Sequence, residues 1–157
     1  MIPKRIVIDT NVCLDLFVFQ DPRWARLRAR MEHRELEVVT REDCRQEWLF
    51  VLHYAHLKLD ETRRASVTKM FDALIQCHPI PLPDPDVHKL PVCKDKDDQK
   101  FLECARDSKA AVLITKDKAL LKLARKTRRE GLFEIMTPET WMATYENPLA
   151  ESSVTTN

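Results

Sequence analysis

The residues most able to do chemistry in this chain are acids standing where acids are awkward. Asp9 ends the apolar run Ile6-Val7-Ile8, and Asp117 follows the run Val112-Leu113-Ile114 by way of Thr115 and Lys116. Unbroken runs of this kind suit strands covered on both faces. In open α/β sheets the carboxyl ends of such strands are where ligands sit. Glu47 falls in phase with Cys44, Trp48 and Val51, the apolar stripe of a predicted helix. A glutamate there costs free energy unless it is paired or binds a metal. Asp98 is in phase with Phe101, Leu102 and Ala105. Asp97 is one step off that face and suits a helix cap, so the third acid is ambiguous by one residue, with helical phase favouring Asp98. Each acid also has a plain structural reading: Asp9 and Thr10 cap a helix, Glu47 snorkels or pairs with an arginine, and Asp97-Asp98 offset a helix dipole. The four together favour a site.

Gathered in one place, Asp9, Glu47, Asp98 and Asp117 carry about four negative charges. At ~4–5 Å and an effective dielectric near 20, each like pair costs roughly 3–4 kcal/mol. Such a cluster persists only if protons or cations neutralise it. Hard oxygen donors with no His or Cys among them select Mg²⁺ or Mn²⁺ over zinc. Ions of that kind activate water and ease the leaving oxygen of a phosphate ester. Metal-assisted phosphodiester hydrolysis uses those parts.

The elements that must position these acids alternate between strand and helix. The first strand leads into a helix carrying Val12, Leu14, Phe17 and Val18. Asp21-Pro22 starts a helix that runs to about Glu32, with Arg23, Arg26, Arg30 and Arg34 along one side. Leu36 to Val39 is a second strand, and Thr40 is expected to cap a long helix through about Leu59. Asp60 opens a helix over roughly Glu61 to Gln76. Four prolines between Pro79 and Pro85 exclude helix and central strand, which leaves a crossover loop or edge segment. After the Asp98 helix come a strand over Ala111 to Thr115 and a helix over Ala119 to about Arg129. Phe133 to Met136 is a last strand, and Pro138 starts a short helix to about Tyr145. Lys118, Lys122, Arg125, Lys126 and Arg129 recur at helical spacing and form one cationic face, a pattern that most often marks solvated surface. The alternation predicts an α/β fold whose central, mostly parallel sheet has helices on both faces.

Composition narrows the function classes. The chain has 157 residues, enough for one full core, with 44% apolar and 32% charged residues. A net charge of +1 means that any nucleic-acid binding comes from a local patch. The single glycine, Gly131, excludes the Gly-rich phosphate loops and the GxSxG elbow. Five cysteines form no CxxC pair and read as free thiols in a reducing compartment. Cys77, His78, His88 and Cys93 match no usual zinc spacing. No apolar run is long enough to span a bilayer, and the start lacks a signal-peptide core, so the cytoplasm is expected. Residues 1–146 are expected to form a single domain, and 147–157 a polar, disordered tail.

Taken in order, Val7-Ile8-Asp9-Thr10-Asn11-Val12, the Glu47 helix, Asp97-Asp98-Gln99-Lys100-Phe101-Leu102 and Val112-Leu113-Ile114-Thr115-Lys116-Asp117 resemble the PIN domain family. More narrowly, they resemble its branch of toxin components of bacterial toxin–antitoxin systems. The resemblance covers about residues 4–145. It implies a three-layer α/β/α sandwich and a metal-dependent ribonuclease. By position, Asp9, Glu47, Asp98 and Asp117 match the family's acidic quartet. Asn11 matches an Asn/Ser position that helps orient the first acid, and Thr115 the Thr/Ser before the last. Where the family often has Thr-Gly-Asp, this chain has Thr115-Lys116-Asp117. The lysine restricts that turn and puts a cation beside the metals, where it either weakens metal binding or helps hold phosphate.

The resemblance thus implies an endoribonuclease preferring single-stranded RNA. Asp9, Asp98 and Asp117 would ligate Mg²⁺ or Mn²⁺, and Glu47 would complete the second position or orient water. Lys116, Lys118, Lys122, Arg125, Lys126 and Arg129, with the arginines from Arg23 to Arg34, would hold the backbone of RNA. An antitoxin protein would block the acidic groove, and family resemblance suggests a homodimer. The alternative is a PIN-like interaction module without catalysis, which Lys116 alone favours. An aspartyl-nucleophile phosphotransferase would carry a second Asp two residues after Asp9, and this chain has Asn11 there.

Overall fold

The computed structural model describes residues 4–145. Its centre is β1 (Lys4–Ile8), whose Ile6, Val7 and Ile8 are buried on both faces as their apolar run requires. β2 (Leu36–Arg41) and β3 (Ile75–His78) lie to one side of it, β4 (Val112–Ile114) and β5 (Glu134–Met136) to the other. The sheet order is β3-β2-β1-β4-β5, and every pairing is parallel. Ile8 pairs with Ile114, so β1 and β4 end level with one another. The chain reverses its direction of sheet growth between these two strands, and that switch point is where open parallel sheets bind ligands.

Helices cover both faces. α1 (Thr10–Phe17), α2 (Ala25–Glu32), α3 (Glu42–Val51), α4 (Glu61–Leu74) and α8 (Pro138–Tyr145) pack on the face showing Ile6, Ile8 and Val38. The Trp48 ring stacks on Phe71 at 4.9 Å, and Phe17 meets both rings edge-on at 6.0 Å. α5 (Gln99–Asp107), α6 (Lys118–Leu121) and α7 (Ala124–Arg129) pack on the opposite face against Val7, Val39, Leu113 and Ile135. The three-layer sandwich with a parallel sheet is therefore as expected. Asp21 caps its helix as expected, accepting the Arg23 amide at 3.0 Å, although the first turn over Pro22–Trp24 is a 3₁₀ turn.

Several expectations need correction. Thr40 does not cap α3: β2 runs on through Thr40 and Arg41, both buried, and α3 stops at Val51. α4 ends at Leu74, and Ile75–His78 is a strand. Pro79 disfavours helical backbone at His78, which helps hold the segment extended. As an edge strand it buries Ile75 alone, too little to show a period. The helix expected over Ala119–Arg129 is two, because a tight turn closed by Leu123 N–H to Leu120 O separates α6 from α7. No Gly or Pro marks that break. The tail expected over 147–157 lies outside the described residues. Among the described residues, no helix is long and apolar enough to cross a membrane.

Candidate metal centre

The β1–β4 seam builds the centre. Asp9 N–H donates to Ile114 O at 3.0 Å, extending the sheet ladder by one bond and fixing the acid at the strand end. Asp9 Oδ1 accepts the Val12 amide at 3.1 Å, so Asp9 does cap α1. Its other oxygen, Oδ2, accepts the Thr115 hydroxyl. Asp9 is 4% exposed. Burial, opposed by the Thr115 and Val12 hydrogen bonds and reinforced by the charges of Asp117 and Glu47, pushes its carboxyl up to about 6.

Thr115 links both strand ends. Its buried hydroxyl donates to Asp9 and accepts the Asp117 amide at 3.0 Å. Asp117 in turn caps α6 through the Ala119 amide at 2.7 Å. The Lys116 side chain between them is exposed and its Nζ binds Asp15 Oδ2 at 2.6 Å, on α1.

Asp98 ends the 3₁₀ turn Lys96–Asp98 and leads into α5. Carboxylate oxygens of Asp95, Asp98 and Asp117 all lie within 4.8 Å of one another. Asp98 Oδ2 is buried and no donor reaches it. Burial first, then contact with Asp117 and the charges of Asp117, Asp95 and Asp9, push Asp98 up to about 8. Asp117 is held below the usual carboxylate range, chiefly by Asp98. Asp98 therefore holds its proton more tightly than an ordinary carboxyl, and Asp117 less tightly. A hard dication would displace that proton, satisfy the orphaned oxygen and find only oxygen donors, so these residues fit Mg²⁺ or Mn²⁺. Among the described residues no second group of this kind forms, including around Cys77, His78, His88 and Cys93.

Of the four acids singled out in the sequence, the fold brings Asp98 and Asp117 into contact and sets Asp9 close enough to raise Asp98. Glu47 is near enough to raise Asp9, but both Asp9 and Glu47 stand outside the oxygen cluster. Glu47 Oε1 accepts Lys100 Nζ at 2.9 Å, and Oε2 accepts the Thr10 hydroxyl. The expected pairing is thus with a lysine of α5 rather than an arginine. Asn11 is exposed, and its side chain makes no hydrogen bond among the described residues. Asp97 is exposed, and the cap is Asp95, which accepts the Asp97 amide at 3.0 Å. Lys118, Lys122, Arg125, Lys126 and Arg129 are all exposed, on two short helices rather than one continuous face.

Sequence reasoning missed Asp95 because it started the helix at Asp97-Asp98, and the 3₁₀ turn has a tighter period. The signal was an Asp with a second Asp two residues on, an Asx-turn pattern. Lys100 was missed because a cross-helix ion pair leaves no periodic trace.

The PIN domain family model matches residues 5–119, a span that holds all of these acids and ends two residues past Asp117. A comparison with curated proteins finds no match. Among solved structures, a chain of the VapBC2 complex from Rickettsia felis, bound to a DNA fragment from their promoter, aligns with a TM-score of 0.50. That alignment has 12% identity and covers 83% of this chain and 96% of the other. At such identity the likeness concerns the fold alone.

Proposed function

The chain belongs to the PIN domain family, and from that premise we propose that it is a metal-dependent endoribonuclease hydrolysing RNA phosphodiester bonds. The observation carrying this reading is the oxygen cluster of Asp95, Asp98 and Asp117 at the switch point, with Asp98 Oδ2 buried and without a donor. In this reading the residues form one PIN-like domain over 1–146.

Asp98, Asp117 and Asp95 would hold Mg²⁺ or Mn²⁺, with Asp9 and Glu47 nearby. The bound ion supplies activation of water and stabilises charge developing on the phosphate. Asp9, raised by burial, accepts a proton near neutral pH and so serves the attacking water as a base. Thr115 holds Asp9 in place for that task. Lys118, Lys122, Arg125, Lys126 and Arg129 present cations to the backbone of single-stranded RNA, a contact that positions without reading sequence. The chain acts as the toxin of a toxin–antitoxin pair in the cytoplasm, as a homodimer, and an antitoxin covers the acidic centre. The similarly folded chain belonging to a VapBC2 complex is in keeping with a partner protein.

The feature favouring a module without catalysis was Lys116, and its ammonium is engaged by Asp15. The test is Mn²⁺ titration calorimetry alongside cleavage of a labelled single-stranded RNA. Binding and cleavage in wild type, both lost in Asp98→Asn, support the nuclease. Well-folded wild type that binds no Mn²⁺ at millimolar concentration sinks it.

A further inference from the structure

The Glu47 side of the centre already holds a cation. Lys100 Nζ lies 2.9 Å from Glu47 Oε1, and it also donates to the Asp97 carbonyl. Thr10 takes the other Glu47 oxygen. The lysine side chain is 19% exposed and that of Glu47 26%, so the pair is screened less than a surface pair. α5 carries both this lysine and, at its N-terminal boundary, Asp98, so one element fixes the ammonium on one side and the metal-facing carboxyl on the other. Asp9 has both oxygens engaged as well, by the Val12 amide and the Thr115 hydroxyl.

We propose that Lys100 is a built-in counter-charge that takes the place of a second metal ion, so that this site binds one divalent ion at Asp95, Asp98 and Asp117. The inference rests on the metal-dependent reading above and deepens it. A dication seated between Glu47 and Asp9 would have to expel an ammonium in direct contact with Glu47, and like charges at that range repel strongly. Glu47 is then the positioning residue for Lys100 rather than a metal ligand. The fold thereby supplies one positive charge that does not depend on metal concentration.

The experiment is Mn²⁺ calorimetry with electron paramagnetic resonance on the metal-free full chain, using wild type, Lys100→Gln, Lys100→Arg, Glu47→Gln and Asp98→Asn. Wild type and Lys100→Arg are expected to bind one ion, with an isolated-Mn²⁺ spectrum. Lys100→Gln is expected to gain a second ion, at least about tenfold tighter than any second binding in wild type, with an exchange-coupled spectrum. Glu47→Gln keeps one ion with affinity within about threefold, which tests the idea even if Lys100→Gln does not fold. Two ions in wild type, one ion in folded Lys100→Gln, or loss of the ion in Glu47→Gln would each overturn the role of Lys100. Should the single ion be lost only in Asp98→Asn while Lys100→Gln gains none, the metal reading stands and this inference falls. No ion in wild type removes both.

Discussion

The Thr115 hydroxyl donates a hydrogen bond to Asp9 Oδ2 across the β1–β4 seam while its own oxygen accepts the Asp117 amide. One buried hydroxyl thus fixes two acids that lie 108 positions apart in the numbering, read from Asp9 and Asp117 themselves. Valine has the same shape and can do neither job. Thr115→Val is expected to weaken Mn²⁺ binding by about 10-fold, in the range for losing a hydrogen bond that orients a metal-site carboxylate. It should also cost about 1–2 kcal/mol of stability, since Asp9 stays buried with one partner fewer. Thr115→Ser should restore the metal affinity. Calorimetry of the three proteins decides it, and equal affinity in the valine variant would mean that Asp117 needs no orientation from this hydroxyl.

Asp98, held at about 8, sits far above its unfolded value of 3.8, and Asp9, at about 6, also sits above that value. A carboxyl raised on folding binds its proton more tightly in the folded state, so its contribution to stability falls as pH rises between the unfolded and folded values. For Asp98 that window runs from about 4 to about 8. Asp117 is lowered, so it acts with the opposite sign and below this window, its stabilisation fading as pH falls through its folded value. Metal-free wild type should therefore lose thermal stability relative to Asp98→Asn between about pH 4 and about pH 8. Parallel melting curves of the two proteins across that range would show that Asp98 carries no such linkage.

Much of this arrangement was legible in the sequence, and what was not has definite physical causes. Asp9 and Asp117 could be placed because unbroken apolar runs mark buried parallel strands, whose carboxyl ends share one edge, while the level pairing of Ile8 with Ile114 is seen only in the fold. Asp98 could be placed by helical phase. Asp95 could not, because the 3₁₀ turn before α5 breaks that phase. The partner of Glu47 could not either, since the lysine reaching it comes from another helix. β3 was hidden by burying one residue, and the break between α6 and α7 by a tight turn with no Gly or Pro.

Lys116 stands beside the acids in sequence but leans away from them onto Asp15, whose side chain is 12% exposed against 41% for the lysine. Exposed or half-exposed pairs contribute little, so Lys116→Ala is expected to cost about 1 kcal/mol or less. Its effect on Mn²⁺ affinity should stay within about twofold, because the ammonium is already neutralised. Chemical denaturation and calorimetry measure the two quantities. A large rise in metal affinity would show that the lysine acts on the centre after all.

Arg41 is 5% exposed at the end of β2 and binds Asp43 at 2.7 Å, Glu103 at 2.8 Å and Asp107 at 3.4 Å. It joins the start of α3 to α5, the two helices that carry Glu47 and Lys100. Arg41→Met keeps the stem packed and removes the charge, leaving Asp43 and Glu103 without a cation while Asp107 keeps Arg106 at 2.9 Å. Breaking a fully buried pair costs about 3–5 kcal/mol. Here the acids are partly solvated, so about 2–3 kcal/mol is expected. Adding Glu103→Gln to Arg41→Met should recover part of the loss, because it removes one of the unpaired charges, whereas Glu103→Gln alone should be mildly destabilising. Urea denaturation of the four proteins gives the coupling energy. Strict additivity would mean that Arg41 stabilises this corner by packing its stem and not by its charge.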